Sequence, residues 1–345
     1  MIDERTEVKP AVTIAYVAFN RRDELRQSLR RMLDESDYDT DRLDVVVVDN
    51  ASSDGSADMV RDEFPQVELI ARETNIGAPA WNDAFAVARG DYVLILDDDC
   101  YLPPGGLGRA VAAAEEHGAD LVSFSVASTV EPDYLFTKQS PMGLMSFWGC
   151  AWLVRRSVLE RIGGYDPEIF IWDNELEFMI RFFDGGFSHL HLPQVVARHM
   201  KPPLSPAFDE RWYRANCHHF TYIAAKLLRG RDAAGAVVAV LARIVRDGLR
   251  GERRSLVALP DALAGVVHGL RLRRPVRNRE VSRFYRTNFH GFASPWWMSR
   301  PAGELVRSLP RELLGRDAKP AAGRRQLFFD ERTRYYPDGA GTLRF

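Results

Sequence analysis

Hydrophobic and polar positions change rhythm along the chain in a way that predicts its elements. Residues 12–17, 43–48, 67–71 and 92–96 are short apolar runs rich in Val, Ile and Leu, the pattern of strands buried on both faces. Between them apolar residues recur every three or four positions. Leu25, Leu29, Met32 and Leu33 mark one helix, and residues 57–64 and 80–88 read as two more. Asn20 stands where a helix N-cap belongs, with Asp23 three residues on. This alternation with short connections predicts right-handed βαβ units and an α/β fold, a Rossmann-like, mostly parallel sheet with helices on both faces.

The pattern continues with a helix over 107–117, a strand over 120–125, a loop with two prolines over 127–146, a strand over 149–155 and a short helix over 156–162. The loop is a candidate for substrate contact or a lid. After the turn Gly163-Gly164-Tyr165-Asp166-Pro167, Leu176, Met179, Ile180 and Phe183 mark the buried face of a helix that stops at Gly185-Gly186. Residues 187–192 and 195–200 read as two closing strands separated by Pro193.

After about residue 205 strands vanish and Arg-rich Ala/Leu/Val helices begin. Pro202-Pro203 marks the expected boundary between an α/β domain, residues 1–203, and a basic, mostly helical region, residues 204–345, whose last thirty residues read as an irregular tail. The whole chain has a formal net charge of −2, but residues 226–286 hold one Lys and fourteen Arg against five acids. Val237, Leu241, Ile244 and Val245 are amphipathically spaced beside Arg243, Arg246 and Arg250, and residues 284–297 are rich in aromatics. Such a region suits an anionic membrane surface, a solvated helical cap or a homodimer interface. No apolar run reaches the roughly 18–20 residues that span a bilayer. The polar start predicts no signal peptide. Three widely separated cysteines, Cys100, Cys150 and Cys217, show no disulfide framework, as expected in a reducing cytosol. The expected location is cytoplasmic, peripheral at the inner face of the cell membrane. Charge without a recognised reader motif argues against nucleic acid.

The candidate chemistry gathers after successive strands. The run 92–96 ends in Asp97, Asp98 and Asp99. Like charges repel at this spacing, so core stability gives no reason to collect them; a hard divalent cation with a diphosphate does. Asn20, Asp49, Asn75 and Asn82 follow the other strands and helices, where the carboxyl ends of parallel strands meet and ligands bind.

Four blocks in order carry a resemblance: residues 45–55, Asn75-Ile76-Gly77, Asp97-Asp98-Asp99, and Gly163-Gly164-Tyr165-Asp166 followed by an acidic helix start. With them, residues 12 to about 200 resemble the GT-A glycosyltransferases of family 2, inverting nucleotide-sugar enzymes, and most closely the branch with rhamnosyl- and galactofuranosyltransferases. The resemblance implies a GT-A fold and transfer of a sugar from a nucleotide-diphosphate sugar to the hydroxyl of a glycan or polyprenyl-linked acceptor in cell-envelope synthesis. It implies nucleotide-sugar contacts from Phe19, Asn20, Asp49, Asn75, Asn82, Asp97 and Asp98. It implies Mg²⁺ or Mn²⁺ held by Asp99, with His199 at the place where some relatives supply a ligand. Where the family usually has Glu-Asp, with the Asp as catalytic base, this chain has Asn174-Glu175. Glu175 keeps a carboxylate there; Asp173 and Glu177 are the substitutes. Two other readings compete. A sugar nucleotidyltransferase would want a glycine-rich loop after the first strand, and Ala18-Phe19-Asn20-Arg21-Arg22 has none. A non-catalytic binding protein fits the altered base but not the intact acidic cluster.

Overall fold

A computed structural model describes residues 9–36, 38–131, 147–201, 210–249, 251, 253–292, 333–335 and 341–344. The first half follows the predicted alternation: β1 (Val12–Ala18), α1 (Arg22–Asp34), β2 (Leu43–Asp49), α2 (Ser56–Glu63), β3 (Glu68–Ala71), α3 (Trp81–Val87) and β4 (Tyr92–Asp97). The two-residue β5 (Cys100–Tyr101), α4 (Gly106–His117), β6 (Leu121–Ser128), β7 (Ala151–Arg155), α5 (Arg156–Ile162), α6 (Asn174–Asp184) and β8 (Ser188–His199) follow. The C-terminal region supplies α7 (Glu210–Leu227), α8 (Gly230–Leu249), α9 (Arg253–Val257), α10 (Leu259–Arg271) and α11 (Arg279–Phe292), then β9 (Thr333–Tyr335) and β10 (Gly341–Arg344).

One sheet runs in the order β3-β2-β1-β4-β7-β6-β8-β10-β9, with β5 paired to β8. It is parallel from β3 through β4 and again between β6 and β8; β7 enters antiparallel between β4 and β6. Both faces are covered. Along β4 the side chains of Tyr92, Leu94 and Leu96 pack with α1, α2 and α4, while Val93 and Ile95 join the core under α6. That alternation is why residues 92–96 are apolar throughout.

Three expectations need correction. The two closing strands are one, β8, which passes through Pro193. Opposite it the register jumps from Phe124–Leu192 to Ser125–Val196, so the proline, which has no N–H to give a ladder, sits in an irregularity. Strands do not vanish after residue 205: β10 pairs with β8 from Gly341–His191 to Arg344–Ser188, and β9 pairs with β10. The tail thus covers an edge of β8, with segments too short to show a period. Asn20 does not cap α1. The cap position is Arg21; Asn20 lies one residue earlier at φ +54, a left-handed conformation that Asn tolerates, and its Oδ1 accepts from Ser53 N at 2.7 Å. The Pro202-Pro203 boundary, most of the 127–146 loop and the aromatics at 295–297 lie outside the described residues.

The helical region shares the sheet's core. Trp212, Phe220 and Ile223 of α7 lie in one apolar cluster with Trp152 of β7 and Phe178 and Phe182 of α6. Behind α7, α10 approaches through Ala262, Gly265 and Gly269, all buried or nearly so, and Thr221 Oγ1 donates to Ala262 O at 2.6 Å. A Cβ on Gly269 would stand 2.3 Å from Tyr222 O. Gly269→Ala is therefore expected to push α10 off α7 and cost about 1–3 kcal/mol, seen as a lower urea midpoint; an unchanged midpoint would contradict this packing.

Candidate active site

The parallel strands end level with one another. Ala18 stands opposite Asp49 and Val17 opposite Asp97, so the segments that leave β1, β2 and β4 meet at one end of the sheet, where open α/β folds bind ligands. They line a cleft of about 570 Å³ with Phe19, Arg21, Asn50, Asn75, Asp97 and Asp98 on this side. The lining also includes Trp148, Phe170 and Trp172, the start of α6 with Asp173 and Glu175, and Trp212, Asn216 and Phe220 of α7.

The acidic turn after β4 is held by partners from three directions. Asp98 is buried; it accepts from Phe19 N at 3.0 Å and Arg21 Nη1 at 2.9 Å. The same Arg21 nitrogen reaches Asp99 Oδ2 at 2.8 Å. The β5–β8 pairing sets Cys100 opposite His199, which brings His199 Nε2 to 2.9 Å from Asp99 Oδ1 and 4.0 Å from Asp97 Oδ2. Burial and the Asp99 charge push the Asp97 pKa up. Burial works against Asp99 too, but the hydrogen bond and charge of His199, with Lys201 and Arg21, hold it below the usual carboxylate range. Burial lifts Asp98 to about 7 against the pull of Arg21. Asp97, Asp99 and His199 offer ligand atoms that all lie within 4.8 Å of one another. Two carboxylates and an imidazole suit a divalent cation such as Mg²⁺ or Mn²⁺, and the imidazole favours the transition ion.

Glu175 keeps partial access to the cleft from the first turn of α6. Burial of its carboxyl, with the charges of Asp173 and Asp97, pushes its pKa to about 8. Its side chain fills the space beside Gly149, where a Cβ would stand 1.8 Å from Oε1. Asn174 Nδ2 donates to Oε1 at 3.0 Å. Just before it, Trp172 and Asp173 take left-handed backbone angles, φ +65 and +61, a strained pair for residues with side chains. Asn216 Nδ2 holds this turn by donating to both Asp173 oxygens, at 3.0 and 3.1 Å, and His219 Nδ1 lies 3.3 Å from Oδ2.

Comparison with known proteins agrees with this geometry. The Glycosyl transferase family 2 model matches residues 13–171. The probable glycosyltransferase YdaM of Bacillus subtilis is 25% identical over 65% of this chain, and the match spans 59% of YdaM's length. The N-acetylglucosaminyl-diphospho-decaprenol L-rhamnosyltransferase of Mycobacterium tuberculosis is 23% identical over 63% of this chain and 84% of its own. Residues 13–171 therefore match a family 2 glycosyltransferase domain. Its fold is GT-A. The mannosyltransferase PcManGT of Pyrobaculum calidifontis, solved with GDP-Man and Mn²⁺, superposes over 87% of this chain and 88% of its own with a TM-score of 0.52 at 21% identity. S. aureus TarS 1–349 does so over 87% and 92% with a TM-score of 0.55 at 15% identity.

Within the glycosyltransferase domain the residues singled out from the sequence divide. Phe19, Asn75, Asp97, Asp98, Asp173, Glu175 and His199 line the cleft, with Asp99 bonded to its wall. Asn75 spends its Oδ1 on Asn50 Nδ2 and Gly77 N. Asp49, buried behind the rim, accepts from Ser52 N at 3.2 Å. Asn82 is not among the lining residues: its amide clamps the backbone of Tyr165, accepting from N at 2.8 Å and donating to O at 2.9 Å. Glu177, a substitute base in the sequence, is fully buried and ion-paired to Arg181 and Lys226. His189 and His191 both face Ser123 Oγ, at 2.7 and 3.0 Å, and neither lines the cleft itself. Sequence reasoning missed Arg21, Asn50, Gly149 and Asn216. The one visible signal was the apolar and polar spacing of Trp212, Asn216 and Phe220, four apart on one helix face.

The raised Glu175 pKa gives a stability test. A carboxyl that binds its proton more tightly when folded destabilises the fold as pH rises from its ordinary value, 4.5, toward about 8. Against Glu175→Gln, which cannot ionise, the wild type should lose melting temperature through that window. A constant difference between the two would show that Glu175 ionises normally.

Proposed function

We propose that this chain is an inverting, metal-dependent glycosyltransferase that moves a sugar from a nucleoside-diphosphate sugar to an acceptor hydroxyl. The observation that carries the reading is one cleft with the Asp97–Asp99–His199 donor set on one wall and a raised-pKa carboxyl, Glu175, on the other. Asp99 and His199, with Asp97, would hold Mg²⁺ or Mn²⁺. A divalent cation held there would stabilise the charge that builds on a departing diphosphate.

The chain's own groups do the rest. Phe19, 42% exposed at the cleft mouth, would cover the base, with Asn20, Asp49 and Asn75 shaping the nucleoside end. Glu175 would take the proton of the acceptor hydroxyl as that oxygen attacks the anomeric carbon from the face opposite the leaving group. A pKa near working pH suits a general base, which typically contributes about 10²–10⁴-fold. Arg21 and Asp98 keep the acidic turn in place and offset part of its charge. Asp173 is better used as the anchor of its turn than as the base, because Asn216 occupies both its oxygens.

The acceptor we favour is a glycan or polyprenyl-linked glycan in envelope synthesis. The M. tuberculosis relative's name gives a decaprenyl-diphosphate-linked sugar as its substrate, and TarS has been solved with UDP-GlcNAc. Residues 1–203 would carry the donor chemistry and residues 204–345 would complete the acceptor side through α7. The cytoplasm, with peripheral attachment to the inner face of the membrane, is the location that goes with this reading.

Two variants test it. Asp99→Ala should abolish turnover of the donor in Mn²⁺. Glu175→Gln should cut turnover by about 10²-fold or more and leave nucleotide affinity unchanged. Full turnover in Glu175→Gln would take the base away from this residue.

A further inference from the structure

Helices that pack on a core normally turn their large apolar side chains inward. α10 does the reverse. Its inward face is Ala262, Gly265 and Gly269, while Leu263, Val267 and Leu270 point outward at 50%, 50% and 54% exposure. Leu256 and Val257 of α9 and Val238, Val245 and Leu249 of α8 are exposed as well. A Cβ on Gly248 would stand 2.5 Å from the Leu256 side chain, so the α8 and α9 parts adjoin. Among the described residues, nine of the thirteen exposed large hydrophobics fall between Val238 and Leu272. Scattered apolar exposure needs no explanation, but a concentration of this kind marks a contact surface.

We infer that this outer face of α8–α10 docks on an anionic lipid bilayer. Charge decides between the occupants. Residues 226–286 carry fifteen basic against five acidic residues, and apart from Lys226 and Arg243, which are buried and ion-paired, thirteen basic residues remain. Arg246 lines the α8 part, and Arg271, Arg274 and Arg277 are exposed just beyond Leu270. A second copy would bring the same positive surface. Residues 293–332 hold eight basic and five acidic residues, so that segment is positive as well. An anionic membrane supplies both what the leucines and valines need and what the arginines need. The docking is interfacial, since no described helix is long and apolar enough to cross a membrane.

The face also lies where the proposed reaction would want it. α7 turns Trp212, Asn216 and Phe220 to the cleft and Thr221 and Tyr222 to α10. Two packed helices, α10 and α7, therefore separate the docking face from the acceptor side of the cleft. This extends the reading above and rests on it only for the acceptor; donor hydrolysis in solution does not depend on docking.

The test is flotation of the full chain with phosphatidylcholine vesicles, with and without phosphatidylglycerol at about one lipid in three, at low and high salt. Flotation with the anionic vesicles is expected, falling about tenfold or more on neutral vesicles or in about 0.5 M salt. The double variant Leu263→Glu/Val267→Glu changes exposed positions, so it should keep its melting temperature and donor hydrolysis while losing flotation about tenfold. Flotation with no donor hydrolysis in the wild type would support docking and remove the catalytic reading. Absence of flotation at low salt overturns the inference, as does a double variant that floats like the wild type. A stable dimer by light scattering that the double variant dissociates would give the face to a second copy.

Discussion

Everything at this site depends on the repulsion among three carboxylates at the end of a buried strand. Two unit charges 4 Å apart cost about 4 kcal/mol at an effective dielectric of 20, and Asp98 and Asp99 are both buried. The fold meets this with partners for the carboxylates from separate elements. Arg21 comes from the β1–α1 loop, and His199 and Lys201 from the end of β8 and beyond. These groups arrive only because β1 and β4 are parallel neighbours in register and because β5 pairs with β8. The same requirement leaves room for a cation: Asp97, Asp99 and His199 converge within ligand distance.

The opposite wall shows how the helical region takes part in the chemistry. α6 begins after two left-handed residues, Trp172 and Asp173, and such strain persists only where surroundings hold it. Asn216 on α7 provides that hold. Further along the same helices, Lys226 of α7 lies between Asp166 and Glu177, at 2.5 and 3.2 Å, and Tyr222 donates to Asp166 at 2.7 Å. Breaking one member of a buried ion pair is costly, so α7 is tied to the turn before α6 and to α6 itself. Residues beyond the sequence motifs thereby fix where Glu175 stands.

The sequence was legible where local pattern decides structure. Runs such as 92–96 announced a doubly covered strand, and Asp97, Asp99, Glu175 and His199 were singled out before their convergence was visible. Contacts between distant segments were not legible. Nothing about Arg21 alone says that it will meet Asp98 and Asp99 some 77 and 78 residues later. Asn82 looked like a crevice residue because Asn follows a loop there, yet its amide is matched to the Tyr165 backbone. Pro193 suggested a break, but residues 193–195 of β8 step out of register with β6 and the strand continues. β9 and β10 are a few residues each, and only the open edge of β8 makes them strands.

The most direct measurement is a thermal-shift series of the full chain with UDP, dTDP, GDP and CMP, each with and without Mn²⁺, beside Asp99→Ala. A ligand at a hundredfold excess over its Kd adds about 2.7 kcal/mol to stability, well within detection. The account predicts a shift with at least one nucleoside diphosphate that requires Mn²⁺ and disappears in Asp99→Ala. A nucleotide shift that is the same without the ion and in the variant would contradict it, as would no shift with any of the four.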